Sequence, residues 1–130
     1  MKLIKLSGED FQRMYTALKT SKARQLKGAL YTTFGYRCAL GVIADEVFNV
    51  DLTKANTSID MVELIEDRFA VSYEESVAFV RHIVALNDSQ NKTFSEIADL
   101  LIDVVEISGG ETIPDTLLVE EKPLPHEYGM

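Results

Sequence analysis

The sequence predicts a mainly α (α+β) fold, a compact bundle of about five helices with a small β-hairpin and edge strands. Apolar residues recur at helical spacing, as at Phe11, Met14, Tyr15 and Leu18. Capping signatures, in which an acidic residue follows a serine or threonine by three positions, separate these stretches. Hydrophobic residues make up 46% of the 130 residues, which suits one domain with one core.

The N-terminal third predicts a short strand at residues 3–6 and then a first helix. Ser7 is a good N-cap with Asp10 at the capping-box position, and the apolar period lasts to about Thr20. The basic stretch 19–28 reads as a connector. GALYTTFGYR, residues 28–37, is rich in aromatic and β-branched residues and contains Gly35, which predicts a short hairpin.

The next two helices are predicted from a change to helical period after the hairpin. The first begins at Cys38 and runs to about Phe48, with Asp45 and Glu46 on its outer face. The second is capped by Ser58 and ends near Phe69.

The last two helices each begin at a capping box. Ser72 with Glu75 starts a helix that is apolar on two sides and ends at residues 87–89, where Asn87 suits the left-handed C′ position. Thr93 with Glu96 starts the final helix, whose apolar period continues through Ile107 to Gly109 and Gly110. The predicted core residues are Leu40, Ile43, Val47, Val80, Ile83, Leu86, Phe94, Ile97 and Leu101.

The chain is thus divided into one helical domain, residues 1–110, and a C-terminal tail, residues 111–130. In the tail, TLLVE resembles a strand, and Pro123 and Pro125 favour an extended end.

Composition restricts the class of protein. No apolar run is long enough to span a membrane, and the N-terminus lacks a secretory signal core, so no membrane association is expected. One cysteine, Cys38, excludes an intrachain disulfide and favours a reducing, cytoplasmic setting. Too few cysteines and histidines are present for a usual zinc site, and neither a metal nor a cofactor is predicted.

Charge is distributed unevenly and suggests two binding surfaces. Residues 1–37 hold eight of the 13 basic residues but only two of the 21 acidic ones. We define the basic segment as Lys19, Lys22, Arg24 and Lys27, and the acidic face of the last helix as Glu96, Asp99, Asp103 and Glu106. Either can steer a partner of opposite charge, although the two zones can also face each other or simply be solvated.

Each surface has a chemical alternative. Asp99 and Asp103 lie one helical turn apart and could contribute to a hard-cation site, although such sites usually gather oxygens from several segments. The basic segment precedes Tyr31, Phe34 and Tyr36, a combination that can stack on single-stranded nucleic acid, so residues 19–37 are a nucleic-acid candidate.

Cys38 is the one candidate nucleophile. It is predicted at a helix start beside Arg37, where the helix dipole and the guanidinium would favour a thiolate. A base is also required, and His82 with Asp88 completes a conceivable Cys38–His82–Asp88 arrangement, whereas His126 lies in the tail. The alternative is a small buried hydrophobic residue without catalytic function.

Two stretches together resemble small uncharacterised bacteriophage and prophage proteins. CALGVIAD, residues 38–45, is similar to their C-x-L-G-V element, and LNDSQNKTFSEIADLL, residues 86–101, to their L-N-D and F-x-E-I-A element. LKTSKARQLKGAL is similar to the lead-in of the same group. The matched positions are Cys38, Leu40, Gly41, Val42, Leu86, Asn87, Asp88, Phe94, Glu96, Ile97 and Ala98. Ala39 stands where the group often has a second cysteine, and the resemblance implies a viral origin but no mechanism.

The leading interpretation is a phage-type accessory protein, monomeric or homodimeric, that binds a host protein or defence complex in the bacterial cytoplasm without catalysis. The acidic face and the basic segment are its candidate surfaces. The alternatives are a cysteine-dependent small enzyme centred on Cys38 and a nucleic-acid binder that uses the basic N-terminal third.

Overall fold

The computed structural model describes residues 2–30, 35–54 and 57–108. It confirms the mainly α fold class, with five α-helices and four short strands in these ranges. In chain order the elements are β1 (Ile4–Leu6), α1 (Gly8–Thr20), β2 (Arg24–Gln25), β3 (Tyr36–Arg37), α2 (Ala39–Val42), α3 (Ser58–Phe69), α4 (Tyr73–Val84), α5 (Phe94–Val104) and β4 (Val105–Ile107).

Helix pairing creates the core. Helix α1 packs mainly on α5, and α3 packs on α4, while α2 lies against both α1 and α4. Phe11 and Phe79 are the largest of the fully buried side chains in the described residues. All nine residues that the periodicity assigns to the core are buried, because the apolar stripe of each helix faces another helix.

A two-stranded parallel sheet joins the two ends of the described chain. Ile4 pairs with Val105 and Leu6 with Ile107, so β1 and β4 run side by side. The prediction that the last helix continues to Ile107 is therefore wrong, since the helix ends at Val104 and Val105 adopts extended backbone. The β-branched residues at 104, 105 and 107 suit this change, and pairing with the N-terminal strand compensates the lost helical hydrogen bonds.

The second strand pair differs from the predicted hairpin. Within residues 28–37 the structure describes 28–30 and 35–37, and Tyr36–Arg37 pair in parallel with Arg24–Gln25. Neighbouring strands of a hairpin are antiparallel, so the described pairing is of another kind. Composition identifies residues that favour strands but does not identify the partner strand, which here lies in the segment predicted to be a connector.

The capping boxes set most helix starts. Those of Ser72 with Glu75 and Thr93 with Glu96 are present as predicted. Ser7 accepts a hydrogen bond from the Asp10 amide. The third helix is capped by Thr57 with Asp60, one residue before the predicted Ser58. Thr57 is the N-cap because an acidic residue, Asp60, follows it by three positions, whereas Met61 follows Ser58 at that spacing.

Two helices end in the same unusual way. Helix α2 continues as a π-helical turn over Ile43–Val47, and α4 continues as one over Ala85–Ser89. Each turn is followed by a left-handed asparagine, Asn49 and Asn91. The prediction that Asn87 occupies the left-handed position is wrong, because the wider π-helical turn delays the helix end and turns Asn87 inwards, where it is 1% exposed.

Some predicted features lie outside the described residues. These are the helix stop at Gly109 and Gly110, the tail 111–130 with its strand candidate, and the aromatics Tyr31 and Phe34. Among the helices that are described, none is long and apolar enough to cross a membrane.

Candidate functional site

Asn87 holds three separate segments together at the end of α4. Its Oδ1 accepts hydrogen bonds from Gln25 Nε2 at 2.8 Å and from the Ala39 amide at 3.1 Å. Its Nδ2 donates to the Leu26 carbonyl and to Asp88 Oδ1, both at 2.7 Å. A buried amide side chain has two donors and two acceptor sites, so Asn87 is fully satisfied and acts as a structural anchor.

The anchor completes the N-terminus of α2. A helix start leaves backbone amides without intrahelical partners, and Ala39 is the first residue of this helix. Asn87 satisfies that amide from a position 48 residues away in the chain. Gln25 fixes the arrangement further, because its Nε2 also donates to the Lys92 carbonyl at 2.7 Å.

Gly41 allows a close approach of the preceding segment to α2. The Leu30 carbonyl accepts a hydrogen bond from the Cys38 amide at 3.0 Å. A Cβ atom on residue 41 would overlap that same carbonyl oxygen, so only glycine fits without displacing the segment. The glycine of the CALGV stretch therefore has a packing reason.

A cavity of about 370 Å³ lies beside this anchor, close to the lower end of the usual size range of small-molecule pockets. Its apolar lining includes Leu30, Leu40, Ile83 and Val84, which come from α2, α4 and the segment before β3. The polar lining includes Cys38, Asp88, Thr57 and Ser58. We call this space the Cys38–Asp88 cavity.

The thiol of Cys38 has a structural role in this cavity. It is the N-cap of α2, and its Sγ accepts a weak hydrogen bond from the Gly41 amide at 3.4 Å. Burial raises the pKa of the Cys38 thiol, and the negative charge of Asp88 adds to that effect, while backbone amides oppose it. The thiol is therefore neutral near pH 7, in contrast to the low pKa of a typical cysteine nucleophile.

The structure does not bring Cys38, His82 and Asp88 together as a catalytic triad would require. Cys38 and Asp88 line the same cavity, whereas His82 is not among its described lining residues. The described contacts of the thiol include the Gly41 amide but no histidine. Asp88 bonds to Asn87, not to an imidazole that it could orient.

Two carboxylates of the predicted acidic face are engaged, that is, they form a hydrogen bond or an ion pair, and the other two are unengaged within the described residues. Glu96 accepts the Thr93 amide at 2.9 Å as part of the capping box. Asp99 forms a 2.8 Å ion pair with Lys19 Nζ. Asp103 and Glu106 are exposed, and the described residues offer neither of them a hydrogen bond nor an ion pair.

The predicted basic segment is partly engaged as well. Lys19 is only 13% exposed; besides Asp99 it contacts Ser95 Oγ at 2.9 Å and lies over the Tyr15 ring. Arg24 lies over the Tyr36 ring with its guanidinium carbon 5.8 Å from the centroid. Lys22 and Lys27 have exposed side chains. Through Lys19 and Asp99 the basic segment and the acidic face touch each other.

Sequence reasoning missed Gln25, Thr57 and the backbone of Leu30. Gln25 lies in a polar stretch without periodicity, and its partner Asn87 is 62 residues away, so no local pattern could reveal the contact. Gly28 and Gly41 are weak signals for a close backbone approach, but they do not identify which segments meet.

Comparison with protein-family models, curated proteins and solved structures finds no match. Within the described ranges, histidine, cysteine and carboxylate side chains form no group of three or more that could hold a metal ion.

Proposed function

We propose that this chain is a non-enzymatic binding protein whose partner presents a basic protein surface. The partner class is a host protein or protein complex in the bacterial cytoplasm, in keeping with the resemblance to phage proteins. The observation that carries the proposal is the pair of unengaged, exposed carboxylates, Asp103 in α5 and Glu106 in β4.

An exposed apolar residue lies next to these carboxylates in the chain. Ile102 directly precedes Asp103, and 38% of its surface is exposed, although most large apolar residues of the described chain are buried. Mixed apolar and charged surface is typical of protein interfaces, where charges steer the encounter and apolar contacts slow dissociation. We define the docking strip as Ile102, Asp103 and Glu106.

The two alternative functions receive less support. A cysteine-dependent enzyme needs an activated thiol, and burial raises the pKa of Cys38. A nucleic-acid binder needs several cations available to phosphates, and Lys19 of the basic segment is already paired with Asp99. The carboxylates of the α5 face would also repel a nucleic acid that approached it.

The proposal is tested with a charge-reversal variant, Asp103→Lys with Glu106→Lys. The wild-type chain captures partner proteins from bacterial lysate, and each captured protein is then purified and its Kd measured at low and high salt. The double variant should weaken binding roughly tenfold to a hundredfold, since attraction at two positions is replaced by repulsion.

A matched control is Glu63→Lys with Asp67→Lys, which makes the same change in net charge at exposed positions of α3. A partner that discriminates between the two variants contacts the docking strip. Equal Kd values for wild type and the Asp103→Lys, Glu106→Lys variant, for every captured protein, would refute the proposal. Capture of nucleic acid alone, with release by salt, would favour the basic N-terminal third.

A further inference from the structure

We propose that the Cys38–Asp88 cavity binds a small organic cation, a primary ammonium or guanidinium group carried on a short apolar chain. The inference concerns a separate part of the molecule from the docking strip and does not depend on it. Three properties of the cavity lead to this ligand class: its apolar walls, the one charge among its described lining residues and the hydrogen bond that holds that charge.

The walls suit a short hydrocarbon chain. Leu40 and Ile83, which are 1% and 0% exposed, line the cavity together with Leu30 and Val84. Apolar surface of this kind gains from excluding water, roughly 25 cal/mol for each Å² covered. It offers few hydrogen-bond partners, so a strongly polar ligand such as a sugar would lose hydration without replacement.

Asp88 is the one charged residue among the described residues that line the cavity. No basic side chain of the described chain forms an ion pair with it. A half-buried carboxylate beside apolar walls interacts more strongly with a cation than one in open water, because the local dielectric is lower. The cavity therefore favours a positive ligand and disfavours an anionic one.

One oxygen of the Asp88 carboxylate is held by a hydrogen bond from the anchor. Asn87 Nδ2 donates to its Oδ1 at 2.7 Å, and Asn87 is itself fixed by Gln25, Ala39 and Leu26. Asp88 Oδ2 makes no hydrogen bond within the described residues, which leaves it as the acceptor for a ligand. A preorganised acceptor of this kind loses little entropy when the ligand binds.

The remaining polar groups fit the same ligand. The Cys38 thiol is neutral and adds no second charge, and its sulfur lies along the wall as a polarizable apolar group. The hydrogen-bonding capacity of Asn87 is fully used, so it positions Asp88 and does not contact the ligand. Ser58 at the start of α3 also lines the cavity and carries a hydroxyl group, which can accept a hydrogen bond, whereas the hydroxyl of Thr57 is used in its capping box.

The test uses the full chain and n-pentylammonium, with n-pentanol and n-pentanoate as probes of equal length. Amide chemical shifts are followed by NMR during titration at neutral pH. We expect saturable shifts near Leu40, Ile83 and Asp88 with the ammonium compound, weaker ones with the alcohol and none with the carboxylate. A parallel titration with Nα-acetyl-lysine methylamide, which keeps the charged side-chain ammonium, shows whether a lysine side chain of a protein binds as well as a free amine.

Two isosteric variants isolate the charge. Asp88→Asn should raise the Kd of n-pentylammonium at least about tenfold, because a charge-assisted hydrogen bond is lost. Asp67→Asn removes the same charge from an exposed position of α3 and should leave that Kd unchanged. Thermal unfolding verifies that each variant is folded. If Asp88→Asn does not fold, Val84→Phe, which fills the cavity, takes its place and should abolish binding.

Three results would overturn the proposal. The first is the absence of saturable shifts with n-pentylammonium. The second is equal binding of the alcohol and the ammonium compound, which would make the cavity a purely apolar one. The third is an equal loss of affinity in Asp88→Asn and Asp67→Asn, which would assign the effect to general charge.

Discussion

The anchor at Asn87 makes a quantitative prediction for the substitution Asn87→Asp, which changes one amide group to a carboxyl. The two acceptor contacts, from Gln25 and the Ala39 amide, are preserved. The two donor contacts, to the Leu26 carbonyl and Asp88, are lost and become repulsive when the new carboxyl is ionised. The site is 1% exposed, so water cannot replace them.

The size of the effect follows from the proton equilibrium of the new carboxyl. Its unfolded-state pKa is about 3.9, and burial beside Asp88 raises the pKa in the folded state. If the folded chain keeps this carboxyl protonated, the free energy of unfolding falls by about 1.4 kcal/mol for each pH unit above that value. The expected loss is about 1.5 kcal/mol at pH 5 and about 4 kcal/mol at pH 7, before any hydrogen-bond cost.

The assay is urea unfolding followed by circular dichroism at pH 5, 6 and 7, with wild type measured alongside. The matched control is Asn91→Asp, which makes the same chemical change at an exposed left-handed residue. The control should lose less than about 1 kcal/mol with little pH dependence. A loss for Asn87→Asp that stays constant between pH 5 and 7, or equals that of the control, would refute the anchor.

Three further predictions concern Gly41, Cys38 and Glu75. Gly41→Ala should lower the free energy of unfolding by about 2–4 kcal/mol, because the new Cβ atom would displace the Leu30 carbonyl. Urea unfolding measures this change, and a variant as stable as wild type would contradict the close packing at Gly41. Native Cys38 should react with iodoacetamide far more slowly than in urea at pH 7.5, as mass spectrometry would show, since burial raises its pKa. The hydrogen bond from the Ser72 amide lowers the pKa of Glu75, so the ionised Glu75 carboxylate should stabilise the fold at pH values above the ordinary glutamate pKa. This stabilisation should disappear as the pH falls through the lowered pKa. Urea titrations of Glu75→Ala should therefore lack this part of the acid dependence.

Local signals explain why the helices could be predicted. Apolar periodicity depends only on neighbouring residues, and all nine positions that it assigns to the core are buried. Two of the capping boxes, at Ser72 and Thr93, were identified for the same reason. The error at Ser58 is one of register, since Thr57 and Ser58 are both good caps and only the position of the acidic partner separates them.

Contacts between distant segments explain what the sequence could not reveal. Val105 continues the apolar period of α5, so only its pairing with Ile4 distinguishes the strand from further helix. Gln25 and Asn87 are unremarkable polar residues until the fold brings them within hydrogen-bond distance. The candidate cavity depends on these contacts, because its lining comes from four separate segments of the chain.

The fold also gives a physical meaning to the positions that resemble the phage group. Most of them have a structural explanation: Leu40, Val42, Leu86, Phe94, Ile97 and Ala98 are in the core, and Glu96 closes a capping box. Gly41 avoids the Leu30 carbonyl, and Asn87 is the anchor. Asp88 has a structural role as well, since it accepts a hydrogen bond from Asn87, but its Oδ2 has no hydrogen-bond partner within the described residues. Because Asp88 also lines the cavity, Asp88→Asn is the substitution that separates the proposed ligand binding from the packing of the anchor.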